Sequence, residues 1–314
     1  MMNFILMIKL INLMMTIVLM SCNNWISMWM TMELIILSNL MLMNKMSNNK
    51  ELLIKFLIIN SINSSVILLM LMLNSNLMMI KINTIKSMLF INLWFKLSMF
   101  PFQWWMMMMS KLNNWMILFN MNFQMKMPPL MMLMMMNFIP TKLLMMMLSI
   151  PLILLNLNNM MKVMIIMSIN NMYWFISMMN INNLFFMMSF MIYMFTNFLL
   201  FKMMSKKKMF MLNQYSSLNM KSKILLIILF MNLLNLPPLS MFMIKWLTLK
   251  MLMMNYLMLT MLMCMNLLMM FNYFKMMIFS IMEFSIIPKH LINKNMNMFN
   301  NLNPNLIMIL MTNI

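Results

Sequence analysis

Apolar runs of about 20 residues follow one another along most of the chain, and that repetition constrains the fold more than any local motif. In a bilayer core every backbone N–H and C=O has to be satisfied within the protein, so a run of that length reads as a spanning helix. The breaks fall at Asn, Lys and Pro. They give candidate spans at roughly 4–22, 25–43, 51–73, 78–98, 115–136, 141–157, 162–180, 182–203, 222–247 and 251–274, with a short last one near 303–314. The expected fold is therefore all-α, a polytopic transmembrane helical bundle of about 11 helices. It forms one membrane domain, with a first half over roughly 1–136, a second over roughly 141–274 and a short C-terminal segment over 275–314.

Charge agrees with this. The 22 basic and 3 acidic side chains are 8% of 314 residues, whereas a soluble domain is about a quarter charged. There is no Gly, so phosphate-cradling loops and dinucleotide fingerprints are excluded together. Ala, Asp and Arg are also missing, while Met reaches 69. Scarcity of residues with G-initial codons and excess of Met, Ile, Asn, Lys and Phe fit a very AT-rich gene in which ATA is read as Met, as in many mitochondrial codes.

A formal charge of +19 would suggest nucleic acid in a soluble protein. Here the lysines sit between apolar runs, so they read as loops at a membrane face beside lipid headgroups, with no nucleic-acid partner. Cys22 and Cys264 lie far apart in apolar stretches and His290 is the single histidine. No metal, haem or disulfide framework is expected from them. Lys9 inside the first apolar run, without a small-residue cleavage pattern, makes the N-terminal stretch read as a retained helix.

The lysines also orient the chain. Lys45, Lys50 and Lys55 follow the second span; Lys202, Lys206, Lys207, Lys208, Lys221 and Lys223 surround the connection after the eighth; Lys275, Lys289 and Lys294 follow the tenth. Each group comes after an even-numbered span, so all fall on one side, which the positive-inside rule makes the inner side, together with the N-terminus. Trp94, Trp104, Trp105 and Trp246 read as an interfacial aromatic belt, and Glu51 as a cap at the positive end of its helix. Glu283 and His290 fall in a polar connection.

Two spans depart from ordinary helices. Pro128 and Pro129 interrupt the fifth and Pro237 and Pro238 the ninth, and broken helices at membrane depth are a habit of transporters. Ionisable residues lie close by. Glu33 is near the middle of the second span, Lys96 shortly before Pro101, Lys126 two residues before the first Pro pair, and Lys245 after the second. A charge at such depth is costly and marks an ion pathway, and lysine, unlike arginine, can give up its proton when taken out of water. Snorkelling to an interface is the competing reading, strongest for Lys96 and Lys245 near span ends. Between Lys126 and Lys245 the seventh span offers Ser168, Asn170 and Asn171, which can hold a water chain but cannot store a proton.

The stretch Phe95-Lys96-Leu97-Ser98-Met99-Phe100-Pro101-Phe102-Gln103-Trp104 resembles the F-K-L-G-x-A-P-F-H-x-W pattern of the subunit 2 family of mitochondrial NADH:ubiquinone oxidoreductase, respiratory complex I. Gln124-Met125-Lys126-Met127-Pro128-Pro129 is similar to that family's W-Q-K-x-A-P, and residues 162–174 to its K-I-L-A-Y-S-S-I-A-H-M-G-W. Residues 236–246, with Pro237, Pro238 and Lys245, resemble its L-P-P-F-L-G-F-x-P-K-W. The resemblance implies an antiporter-like subunit with two inverted five-helix repeats and a broken helix in each, and eleven helices as in animal members. It implies Glu33 and Lys96 as the charged pair of the first half-channel, Lys126 as the link towards the centre and Lys245 in the second half-channel. It also implies a mitochondrial inner-membrane location with the N-terminus in the matrix, and other membrane-arm subunits as partners. NADH, FMN, iron–sulfur clusters and ubiquinone would belong to other subunits, leaving no cofactor in this chain. Family histidines fall on Gln103 and Asn171, and family glycines on Ser98, Tyr173 and Asn235. Two other functions are compatible with the residues: a non-conducting structural subunit of the membrane arm, and a stand-alone cation/proton antiporter.

Overall fold

The computed structural model describes residues 2–47, 49–76, 82–136, 159–179, 182–211, 214, 220–237, 239–252 and 256–282. The spans expected at 141–157 and 303–314, together with Lys81, Pro238, Glu283, Lys289, His290 and Lys294, lie outside the described residues. Twelve α-helices are described: α1 Met2–Ser21, α2 Trp25–Met46, α3 Lys50–Asn76, α4 Ile82–Lys96, α5 Trp104–Met109, α6 Trp115–Asn122, α7 Met127–Met136, α8 Met160–Met179, α9 Asn183–Lys207, α10 Met220–Leu233, α11 Ser240–Met251 and α12 Tyr256–Met282. The fold is an all-α membrane bundle. Among the described residues, α2, α9, most of α3 and the 259–278 part of α12 are long and apolar enough to cross a bilayer unaided.

The apolar sequence sorts by face. α1 shows Leu6, Leu10, Met14 and Ile17 to the outside, and α9 shows Leu184, Met188, Met191 and Phe195. These are surfaces for lipid or for neighbouring chains. α8 is different: every residue from Met160 to Met179 except Lys162 is buried. A helix apolar all round sits at a core, and α8 packs against α5, α6, α9, α11 and α12. Methionine fills much of that core, its unbranched thioether adapting to irregular gaps.

Both Pro-bearing spans are broken, the first just ahead of its prolines and the second in the stretch that holds Pro237. The first break is the turn 123–126, between α6 and α7. Leu130 N–H donates to the Lys126 carbonyl at 3.3 Å, so Pro128 and Pro129 stand in the first turn of α7, where an N–H has no acceptor within the helix. The second break, from Leu234 to Leu239, separates α10 from α11.

With no glycine available, other residues take the left-handed backbone at the sharpest reversals. Ser98 (φ 56°), Asn113 (φ 50°), Lys208 (φ 51°) and Asn235 (φ 62°) do so, the last in the second break. Ser98 follows α4, ahead of a cis Phe100–Pro101 peptide that leads into α5; the sequence reading contained no α5.

Three segments meet at one end of the bundle. The Trp115 indole at the start of α6 donates to the Met209 carbonyl at 2.9 Å, Met160 N–H at the start of α8 donates to the Phe210 carbonyl at 2.9 Å, and Asn159 bridges Met211. At the α1–α2 contact Asn12 Nδ2 donates to Asn39 Oδ1 at 3.0 Å, and the Ser38 hydroxyl donates to Asn12 Oδ1.

Two expectations are corrected. Trp94 and Trp105 are buried rather than interfacial, because their indole N–H groups find carbonyls inside: Trp94 donates to Phe100 at 2.8 Å and Trp105 to Phe95 at 3.2 Å. Trp104 and Trp246 do stay exposed. Lys223 is not a loop lysine; it is buried within α10, unlike exposed Lys221. Glu51 stands, as expected, in the first turn of α3, and is ion-paired with Lys55 one turn on.

Candidate functional site

The three lysines singled out from the sequence are all interior, Lys126 at 1%, Lys96 at 5% and Lys245 at 7% exposure. Snorkelling is thereby excluded, since a snorkelling amine keeps its head in the wet layer.

Lys96 closes α4, and its ammonium faces α2 and α3. Nζ lies 3.7 Å from Glu33 Oε1, an ion-pair distance rather than a hydrogen bond, and donates to the Asn60 carbonyl at 3.2 Å. Glu33 keeps 25% of its side chain exposed while the lysine side chain keeps 4%, so the pair reaches from the core to the surface of the chain. α3 supplies the polar wall. Asn60, Asn63 and Ser64 recur at i, i+3 and i+4 and are buried, with Asn63 donating to the Asn92 carbonyl and the Trp29 indole to the Ser64 carbonyl, both at 3.0 Å. Sequence reasoning missed these three. The signal was the run Asn60-Ser61-Ile62-Asn63-Ser64-Ser65 in the middle of an apolar span.

Lys126 is the last residue of the first break. Its Nζ donates to Ser168 Oγ of α8 at 3.2 Å, and Ser168 Oγ lies 2.9 Å from Asn122 Oδ1, to which it can donate in turn. A second acceptor, the Ile165 carbonyl, is 2.6 Å from the same hydroxyl. The break itself frees acceptors, because Pro128 and Pro129 cannot donate to the carbonyls of Gln124 and Met125. Buried polar atoms without a hydrogen-bond partner occur on these elements, Asn122 Nδ2, Gln124 Oε1 and Asn170 Oδ1, and at Gln103 Oε1 just before α5. Such groups are ordinarily satisfied by ordered water.

Lys245 lies on α11, shortly after the second break. Nζ donates to Asn266 Oδ1 of α12 at 2.8 Å and stands 5.0 Å from the centre of the Trp174 ring of α8. A small cavity beside it has about 10 Å³ of room for a water's centre, lined among others by Asn170, Asn171, Asn235, Lys245, Asn266 and Tyr273. That is space for roughly one water. The Tyr193 hydroxyl of α9 lies against Asn171 and Asn197.

The structure thus brings Glu33 to Lys96, Ser168 to Lys126, and Asn170 and Asn171 to the cavity at Lys245. α8 carries the last three polar residues between the two breaks. Asn266, Trp174, Tyr193 and Asn122 were not foreseen. Asn266 is the most legible of them, a carboxamide in the middle of an apolar run.

No protein-family model matches the chain, and no curated protein is similar to it in sequence. Its fold is similar to that of a chain in respiratory complex I from Thermus thermophilus with bound aureothin, with a TM-score of 0.74 and 16% identity over 84% of this chain and 67% of that one. It is also similar to a chain of the membrane-bound sulfane sulfur reductase, an archaeal respiratory membrane complex, with a TM-score of 0.67 and 14% identity over 81% of this chain. The chain spans 61% of the length of that second structure.

Proposed function

We propose that this chain is a proton-translocating membrane-arm subunit of respiratory complex I, corresponding to subunit 2 of the mitochondrial enzyme. The observation that carries the reading is the placement of Lys126 and Lys245. Both are buried amines beside a helix break, and both face α8, whose Ser168, Asn170 and Asn171 lie between them. Two further observations support it. Glu33 and Lys96 stand together where the family's charged pair is expected. Ser98 and Asn235, which align with family glycines, are two of the four non-glycine residues with positive φ among the described residues, a conformation glycine takes without cost.

The chemistry uses lysines for storage and neutral groups for transfer. A buried ammonium needs acceptors: the Ser168 hydroxyl supplies one at Lys126, the Glu33 carboxylate and Asn60 carbonyl serve Lys96, and the Asn266 carboxamide serves Lys245. Carboxamides and hydroxyls cannot hold the proton themselves, so it resides on the amines and crosses between them by water along α8. Charge arriving at one lysine raises the cost of charge on the next, because two charges at a given distance interact more strongly in a low-dielectric interior than in water. Oxidation of NADH and reduction of ubiquinone take place in other subunits, whose coupling reaches this chain as charge and shape. The chain lies in the mitochondrial inner membrane with its N-terminus in the matrix, against other membrane-arm subunits and lipid.

The test compares Lys126→Ala with Lys206→Ala in assembled complex, measuring proton pumping and NADH oxidation together. Lys126→Ala is expected to depress pumping strongly and Lys206→Ala, at an exposed site, to have little effect. Normal pumping by a fully assembled Lys126→Ala complex would favour a scaffold without conduction.

A further inference from the structure

Lys245 has one defined hydrogen-bond acceptor, and it belongs to α12 rather than α8. Nζ donates to Asn266 Oδ1 on α12 at 2.8 Å and stands 5.0 Å from the Trp174 ring centre. Asn170 and Asn171 of α8 line the same cavity, and Asn170 Oδ1 is buried with no hydrogen-bond partner. The cavity thus brings together Lys245, its engaged acceptor Asn266 Oδ1 and the unpartnered Asn170 Oδ1, with space for about one water.

We infer that Asn266 is a positioning residue that holds the Lys245 ammonium through its α12 carboxamide, with the Trp174 ring of α8 beside it, and releases it towards Asn170 and Asn171 when the proton moves. This rests on the reading of Lys245 as a proton carrier. An ammonium on a neutral carboxamide and an aromatic face is held by attractions of moderate strength, so the amine can leave. A carboxylate in the same place would hold it through a charge-assisted bond roughly twice as strong. A hydrocarbon there would leave the amine no α12 acceptor at all. The role thus depends on acceptor strength rather than on the shape of residue 266.

That dependence gives an experiment in which shape and acceptor strength predict opposite orders. Asn266→Asp keeps the shape and adds a charge, Asn266→Leu keeps the bulk and removes the acceptor, and Asn266→Ser keeps a neutral acceptor in a smaller residue. Each is placed in the intact complex, with Lys245→Ala as reference, and the protons pumped per NADH oxidised are measured alongside the amount of chain retained in the complex. The expected order of pumping is Ser above Leu above Asp. Ser should fall by about two- to threefold and Asp by at least about tenfold at normal assembly, following the strength of the bond to the ammonium. If Asp and Leu pump like the unaltered complex while Ser is impaired, residue 266 only fills space and the inference fails, with the proton role of Lys245 intact. If Lys245→Ala itself pumps normally, the proposed function fails at this site and the inference with it.

Discussion

Lys126 Nζ donates to Ser168 Oγ at 3.2 Å across 42 residues of sequence, joining the first broken helix to the buried centre of α8. The serine has a second acceptor contact, 2.9 Å from Asn122 Oδ1, so one hydroxyl links the two sides of the break. Ser168→Ala leaves the ammonium without its side-chain acceptor, at a cost of about 1–3 kcal/mol, and should depress pumping while Ser168→Thr, which keeps the hydroxyl, retains more of it. Equal pumping by the two variants at equal assembly would remove Ser168 from the path.

On the proposed function, variants of the Glu33–Lys96 pair separate stability from conduction. Removing one partner of a buried pair strands the other, costing about 3–5 kcal/mol where burial is complete and less here, since Glu33 is partly exposed. Glu33→Gln should therefore lower retention of the chain in the complex, and Glu33→Gln with Lys96→Met should recover much of it. Pumping should stay low in both. Thermal stability and pumping measured on the single and double variants check this; recovery of pumping in the double variant would assign the pair to structure alone.

The spans at 115–136 and 222–247 were legible because apolar length and proline pairs are local signals, and the structure finds α6–α7 at 115–136 and α10–α11 at 220–251. The depth of Lys126 was legible for the same reason. The position of the first break was not. Prolines mark where an N–H is dispensable, which is the first turn of the following helix, so the chain unwinds just before them. The burial of Lys223 and of Trp94 was hidden for a different reason: which face of a helix turns inward depends on neighbours remote in sequence. Asn60 and Asn266 stood in the sequence as isolated polar residues in apolar spans, a signal as strong as a lone lysine but easily read as a chance effect of an asparagine-rich composition.

Topology is testable from the turns. Ser47 after α2 and Lys207 at the end of α9 follow even-numbered spans, whereas Asn23 and Asn182 lie at the opposite ends of the same helices. With Cys22 and Cys264 replaced, single cysteines at 47 and 207 should react with an impermeant thiol reagent from the matrix side only, and those at 23 and 182 from the other side only. Reaction of 47 and 207 from opposite sides would break the parity on which the orientation rests.

The backbone at Ser98 carries the last prediction. Its φ of 56° brings Cβ towards the following carbonyl, which costs roughly 1–2 kcal/mol in a residue other than glycine. The side chain returns little of that, since its hydroxyl donates to the adjacent Leu97 carbonyl at 2.6 Å or contacts the Met106 sulfur at 3.0 Å, and sulfur is a weak acceptor. Asn235, at φ 62°, is a residue type that enters this region more readily through local hydrogen bonding. Ser98→Gly should therefore stabilise the chain, offset in part by the greater freedom of glycine in the unfolded state, and Asn235→Gly should do so less. Because Ser98 stands two residues after Lys96, a relaxed turn should leave the Glu33–Lys96 contact in place and pumping unchanged. Thermal unfolding of the complex in detergent, followed through this chain, measures the first effect. A lower unfolding temperature for Ser98→Gly than for the unaltered chain would show that the serine hydroxyl, rather than the backbone, governs the turn.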